Sequence, residues 1–240
     1  MSGPTRIAIV PAFNEEACIG DVVDEIRAFD ATFAIVVVDD GSADLTAAVA
    51  ADHGAHVLTL PFNLGIGGAM QTGYRYAWDE GFDLAVQVDG DGQHDPRQLP
   101  AIVGPLLADE ADMVVGSRFS GDGEYRSSFL RRMGIRLFAR TISLVIRQKV
   151  TDTTSGFRAV NRHGIALFAR DYPHDYPEVE STVMAARHGL RLLEVPVTMR
   201  ERAAGRSSIN APRSVYYMVK VLLAVFVGLF RRPVAPLEER

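Results

Sequence analysis

The sequence predicts an open, mostly parallel α/β sheet flanked by helices. Short continuous apolar runs alternate with segments of helical spacing, at the interval typical of βα units. Several of the apolar runs end in acidic or glycine-rich loops, notably Asp39-Asp40-Gly41-Ser42 and Asp89-Gly90-Asp91-Gly92. Sheets of this kind bind ligands at the carboxyl ends of their strands. The loops at 11–16, 39–44 and 89–96 should therefore converge on one cleft.

The elements follow in order. Arg6 to Val10 is a short apolar strand, and Pro11-Ala12-Phe13-Asn14-Glu15-Glu16 is a loop. Ala17 to Phe29 places Ile19, Val22, Val23 and Ile26 on one helical face. Ala34 to Val38 has the unbroken apolar character of a strand covered on both faces. A helix is expected from about Ala43 to His53 and a strand over Val57 to Leu60. Asn63-Leu64-Gly65-Ile66-Gly67-Gly68 opens a helix over about Ala69 to Trp78. The Phe82–Val88 strand comes next, followed by a helix over Gln98 to Ala108 and a strand at Met113 to Gly116. Asp152 to Arg158 is a polar loop entering a strand, Glu178 to His188 is a helix, and Leu192 to Val197 is the last strand.

Composition bounds the function. A chain of 240 residues, 48% hydrophobic, supports one sizeable core with at most a small appendage. The net charge of −5 gives no global electrostatic case for nucleic acid. Cys18 is the only cysteine, so no disulfide framework exists within the chain, which fits a reducing cytoplasm. Met1 to Arg6 leads straight into a strand without the apolar region of a signal peptide.

Asp89 and Asp91 stand two positions apart, a spacing that points both carboxylates to one side of extended backbone. Two adjacent carboxylates repel, and a divalent cation removes the conflict. Oxygen-only ligands suit Mg²⁺ or Mn²⁺, which bridge protein carboxylates to substrate phosphates. Gly90 and Gly92 let backbone approach a ligand, and Gln93 adds a neutral oxygen. An acidic surface turn is the plainer alternative for this stretch. Asp39 and Asp40 suit a ribose hydroxyl or a base edge, or equally a helix N-terminus. Gly65 to Gly68 lacks both the dinucleotide spacing and a P-loop lysine, and reads as a close-packed helix start. Arg118 ends a strand near the cleft, where its fork matches phosphate oxygens; a surface arginine is the alternative.

Two helical stretches have membrane character. Over Phe129 to Lys149, Arg132, Arg136 and Arg140 recur at helical spacing beside a broad apolar face. Val215 to Phe230 is almost wholly apolar apart from Lys220, yet shorter than the about 20 residues a spanning helix needs. An interfacial helix or a docking surface for a membrane partner fits it, with a buried core helix as the alternative. The expected layout is a catalytic domain over 1–210 and a C-terminal apolar helix and tail over 211–240.

Five stretches together resemble glycosyltransferase family 2, in its dolichyl-phosphate mannosyltransferase and polyprenyl-phosphate glycosyltransferase branch. They are Val10 to Glu16, Val38-Asp39-Asp40-Gly41-Ser42, Asn63-Leu64-Gly65, Asp89-Gly90-Asp91-Gly92-Gln93 and Ser155-Gly156-Phe157-Arg158. The resemblance covers about residues 6–210. It implies a glycosyltransferase-A fold and transfer of a hexose from a nucleotide sugar, UDP-glucose or GDP-mannose in type, to a polyprenyl phosphate. By that likeness Pro11, Phe13 and Glu15 cradle the base and ribose, with Val38 and Asp40 beside them. Asp89, Asp91 and Gln93 would hold Mg²⁺ or Mn²⁺ on the diphosphate. Arg118 and Arg131 would address the acceptor phosphate, and Arg202 the donor diphosphate. Related enzymes often carry a lysine in the final loop, where this chain has Ser208; Arg206 is the expected substitute. The implied place of action is the cytoplasmic face of the cell membrane, with the protein bound peripherally or through a small integral-membrane partner. A transferase acting on a sugar or lipid hydroxyl, with Asp152 or Glu180 as base, is the runner-up. A nucleotide-sugar-binding scaffold of a membrane complex is the non-enzymatic alternative.

Overall fold

The computed structural model describes residues 3–118, 139–148, 150–200, 211–230 and 235–238. Its centre is a seven-stranded sheet in the order β3-β2-β1-β4-β6-β5-β7. The strands are β1 (Arg6–Ala12), β2 (Phe33–Asp39), β3 (His56–Thr59), β4 (Leu84–Gln87), β5 (Met113–Ser117), β6 (Arg158–Asn161) and β7 (Leu192–Pro196). Every neighbouring pair is parallel except the two that involve β6, which runs antiparallel to β4 and β5. The mostly parallel sheet expected from the sequence is thus present. The reversal of β6 brings its start, Arg158, opposite Gln87 at the carboxyl end of β4. The cleft end of the sheet therefore receives loops from both strand directions.

Helices cover both faces. They are α1 (Ile19–Phe29), α2 (Thr46–Asp52), α3 (Gly65–Asp79), α4 (Leu99–Leu107), α5 (residues 139–146), α6 (Arg162–Arg170), α7 (Pro177–Arg187) and α8 (Ala211–Phe230). Alternation along β1 sends its side chains to the cores on the two faces of the sheet. Ala8, Val10 and Ala12 of β1 join Ile19, Val23 and Ile26 of α1 and Ile102 of α4. Ile7 and Ile9 join Met70 and Tyr74 of α3 and Phe168 of α6. Burying each such large apolar side chain contributes about 1.5–3 kcal/mol.

Three local departures from the sequence reading have physical causes. Strand β1 continues through Pro11 and Ala12, which pair with Val38 and Asp39. Ile9 accepts from the Val88 amide, so the missing N–H of Pro11 would have faced β4, where pairing stops at Ile9–Gln87. Helix α3 starts at Gly65 rather than near Ala69, because the Asp40 carboxylate accepts from Leu64 N at 2.7 Å and Gly65 N at 2.8 Å. Helix α6 was not anticipated. It is started by the Asn161 side chain, which accepts from the amides of His163 at 3.1 Å and Gly164 at 3.2 Å.

Val221 and Val225 of α8 pack with Val179 and Val183 of α7 and Ile142 of α5. The opposite face leaves Leu223, Phe226, Val227 and Phe230 exposed. Among the described residues no helix is long and apolar enough to cross a membrane. The basic helix expected over 129–149 lies mostly outside the described residues, of which 139–146 are helical.

Candidate active site

Beyond the end of β4 the chain turns through Asp89 and Asp91, and each carboxylate is oriented separately. The Asp89 amide donates to His94 Nδ1 at 3.0 Å, and Asp89 Oδ1 accepts from Gln87 Nε2 at 3.0 Å. His94 Nε2 lies 3.5 Å from Asp89 Oδ2. Because Nδ1 accepts a backbone N–H, the neutral imidazole carries its proton on Nε2, toward that carboxylate. Burial lowers the His94 pKa, outweighing the opposite pull of Asp89 and Asp91. The ring stacks on Phe157 with centroids 4.7 Å apart.

Asp91 Oδ1 accepts from the Gln93 amide at 3.1 Å, and Oδ2 accepts from Gln93 Nε2 at 2.6 Å. The Gln93 side-chain nitrogen is thereby committed to Asp91, which leaves its carbonyl oxygen as the atom suited to a cation. Gly92 turns the loop at φ +75°, in the region that favours glycine. Gly90 serves packing: a Cβ there would stand 3.1 Å from the carbonyl oxygen of Pro11.

The residues fit a hard divalent cation. Asp89 and Asp91 are oxygen donors on one loop, and the Asp89 side chain is 34% exposed, within reach of an incoming ligand. Among the described residues no group of three or more His, Cys, Asp or Glu forms a cage. Two carboxylates with the remaining positions left to water and phosphate is the usual Mg²⁺ arrangement in phosphate-handling sites.

A strap on the far side steadies this loop. Met199 bridges to His94, and the Arg200 amide donates to the main-chain carbonyl of Gln93 at 2.9 Å. The Arg200 guanidinium contacts Glu25 at 2.5 Å and Asp95 at 3.1 Å. Hydrogen bonds from Arg97 hold the Asp95 pKa below its ordinary value, and Arg200 adds to this.

The other expected contributors fall into place unevenly. Phe13 is 46% exposed at the end of β1. The Glu15 amide donates to Thr46 Oγ1 at 2.8 Å, and the Asn14 amide donates to Ser42 Oγ at 2.9 Å, so loops 13–16 and 42–46 are laced together. The side chains of Pro11 and Val38 are buried, Val38 in the core with Ile7 and Met70, so neither presents a side chain to solvent. Both Asp40 oxygens are engaged by the start of α3. Arg118 forks onto Asp152, Nε to Oδ2 at 2.7 Å and Nη2 to Oδ1 at 2.9 Å. That ion pair commits Asp152, one suspect for a general base, to holding the arginine. Glu194 accepts from the amides of Thr151 and Asp152, fixing the segment that carries the pair. Arg131, Arg202, Arg206 and Ser208 lie outside the described residues.

Sequence reasoning gave no role to Gln87, Gly156 and Arg158. Arg158 is wholly buried and donates to Ser155 O, to Glu178 O at 3.1 Å and to Ser181 Oγ at 2.6 Å. Burial raises the Glu178 pKa, an effect that Arg158 partly offsets. The signal available was Ser155-Gly156-Phe157-Arg158 itself, recognisable as a motif without its physical purpose.

Comparison with known proteins gives the family and the fold. Residues 7–167 match the family model described as glycosyl transferase family 2. An undecaprenyl-phosphate mannosyltransferase of Micrococcus luteus is 31% identical, over 85% of this chain and 87% of its own. A polyprenol monophosphomannose synthase of Mycolicibacterium smegmatis is 30% identical, over 91% of this chain and 86% of its own. The fold matches a crystal structure of glucosyl-3-phosphoglycerate synthase from Mycobacterium tuberculosis in complex with Mn²⁺, UDP-glucose and phosphoglyceric acid. That likeness has a TM-score of 0.70 at 24% identity and covers 94% of this chain and 79% of that one. The family match spans β1 through most of α6, including the loop of Asp89 and Asp91, and the chain belongs to glycosyl transferase family 2.

Proposed function

We propose that this chain moves a hexose from a nucleotide sugar to a polyprenyl phosphate at a membrane surface, with a divalent cation held by Asp89, Asp91 and the side-chain oxygen of Gln93. The observation that carries the reading is the pair of separately oriented carboxylates beyond β4, in a chain whose relatives are named for transfer to polyprenyl phosphates. When bound, Mg²⁺ or Mn²⁺ supplies positive charge against the departing diphosphate.

The chain's own residues do the rest. His94 and Gln87 keep Asp89 in one orientation, and Gln93 does the same for Asp91. Arg118, braced by Asp152, addresses the acceptor phosphate together with Arg131, and Arg202 and Arg206 address the donor. Phe13 and Glu15 flank the base and ribose. A phosphate monoester has a second pKa of about 6, so the acceptor is an anion near neutral pH and needs no protein base. The engagement of Asp152 with Arg118 agrees with that economy, and it leaves Glu180 as the base that a sugar or lipid hydroxyl acceptor would need. The exposed face of α8, with Leu223, Phe226, Val227 and Phe230, rests on the membrane where the lipid acceptor resides. The catalytic unit spans 1–210, and 211–240 attaches it peripherally on the cytoplasmic side, alone or with an integral-membrane partner.

The test is transfer by purified protein with polyprenyl phosphate, Mn²⁺ or Mg²⁺, and a panel of UDP- and GDP-sugars. A chloroform-extractable glycolipid from one donor supports the reading and names the donor. Product formed only with a hydroxyl acceptor overturns it.

A further inference from the structure

We propose that Gly156 is a positioning residue for the Asp89 carboxylate, and that the segment opening β6 is the seat on which this side chain is held for the cation. The inference rests on the reading of Asp89 as a metal ligand and goes beyond it by giving Ser155-Gly156-Phe157-Arg158 a physical task.

A Cβ at position 156 would stand 3.1 Å from Asp89 Oδ2, 3.1 Å from Gln87 Nε2 and 3.4 Å from Asp89 Oδ1. The carboxylate and the amide that orients it both lie against the bare backbone of this residue. Backbone freedom does not explain the glycine, because Gly156 is not among the residues with positive φ. The close approach of the Asp89 and Gln87 side chains is what a Cβ there would disturb.

The backbone there is pinned on both sides. The Phe157 carbonyl accepts from the Gly116 amide at 2.8 Å, and the Phe157 ring stacks on His94, which itself accepts the Asp89 amide. Ser155 is held through its carbonyl by the buried Arg158 guanidinium, which is also bonded to Ser181 at 2.6 Å. Arg158 lies opposite Gln87 in the β4–β6 register. An added methyl therefore cannot push the seat away. What yields is the end of the Asp89 side chain, 34% exposed, which must give by a few tenths of an ångström against its bond to Gln87.

Outer-shell changes of this kind weaken metal affinity about 10–100-fold. The experiment is a Mn²⁺ titration followed by electron paramagnetic resonance, with UDP and separately GDP present, on wild type, Gly156→Ala and Asp89→Asn, with thermal unfolding alongside. The expected result is a Mn²⁺ dissociation constant raised about tenfold in Gly156→Ala, with a thermal midpoint close to wild type. Wild-type Mn²⁺ affinity in Gly156→Ala overturns the proposal. So does an unfolded Gly156→Ala protein, because the strain would then fall on the backbone and not on the carboxylate. If wild type binds no Mn²⁺, or Asp89→Asn binds it undiminished, the metal-site reading fails first and takes this inference with it. Loss in Asp89→Asn with full retention in Gly156→Ala refutes the positioning role alone.

Discussion

Replacing Asp40 with alanine should act on stability through the start of α3. The carboxylate is 4% exposed and accepts from Leu64 N at 2.7 Å and Gly65 N at 2.8 Å. Gly65 N has a second acceptor in Asn63 Oδ1 at 3.0 Å, so the substitution leaves mainly the Leu64 amide without a partner. Leaving one buried donor unsatisfied costs about 1–3 kcal/mol, and loss of a helix cap costs about 0.5–2 kcal/mol. These overlap, and Leu64 is itself partly exposed, so about 2 kcal/mol is the expected loss. For a chain of this size that lowers the thermal midpoint by about 4–8 °C. Asp40→Asn keeps one acceptor oxygen and should lose about half as much. Thermal unfolding followed by circular dichroism, with UDP and GDP binding measured on the same samples, checks this. An unchanged midpoint with nucleotide binding abolished would refute the reasoning and make Asp40 a ligand contact instead of a cap.

Two further outcomes follow from other parts of the chain. Hydrogen bonds from Arg191, with help from Asn161, hold the Asp112 pKa down to about 2. A folded-state pKa below the unfolded one gives stability that is present above the unfolded value near 3.8 and lost as pH falls toward about 2. Asp112→Asn should therefore cost about 1–2 kcal/mol at neutral pH, after allowing for screening at the half-exposed Arg191, and the cost should shrink in acid. Urea midpoints measured across that range test it, and a pH-independent difference would contradict it. On α8, Leu223→Asp with Phe226→Asp should move the protein from pellet to supernatant in sedimentation with anionic liposomes, at an unchanged thermal midpoint. Unaltered sedimentation would remove this face from the membrane account.

Much of the fold was legible because unbroken apolar strands and amphipathic helices leave strong periodic signals. The Ala34–Val38 run and the Ile19, Val22, Val23, Ile26 stripe both belong to observed elements. Less legible was whatever depends on long-range partners. The early start of α3 depends on Asp40, more than twenty positions away in sequence. The reversal of β6 depends on pairing with β4 and β5, which no local pattern encodes. At the site, Asp89 and Asp91 could be singled out from their spacing alone. Two of their supports could not: Gln87 and Gly156 matter through contacts made by folding. Arg118 was visible as a cation at a strand end, but its fork onto Asp152 joins positions 34 apart.

The most direct test of the central claim is sugar transfer to polyprenyl phosphate by wild type, Asp89→Ala and Asp91→Ala, each assayed with Mn²⁺ and with the metal chelated. The account predicts glycolipid from wild type with Mn²⁺ only, and none from either variant although both remain folded. Transfer that persists under chelation, or in either variant, would contradict it.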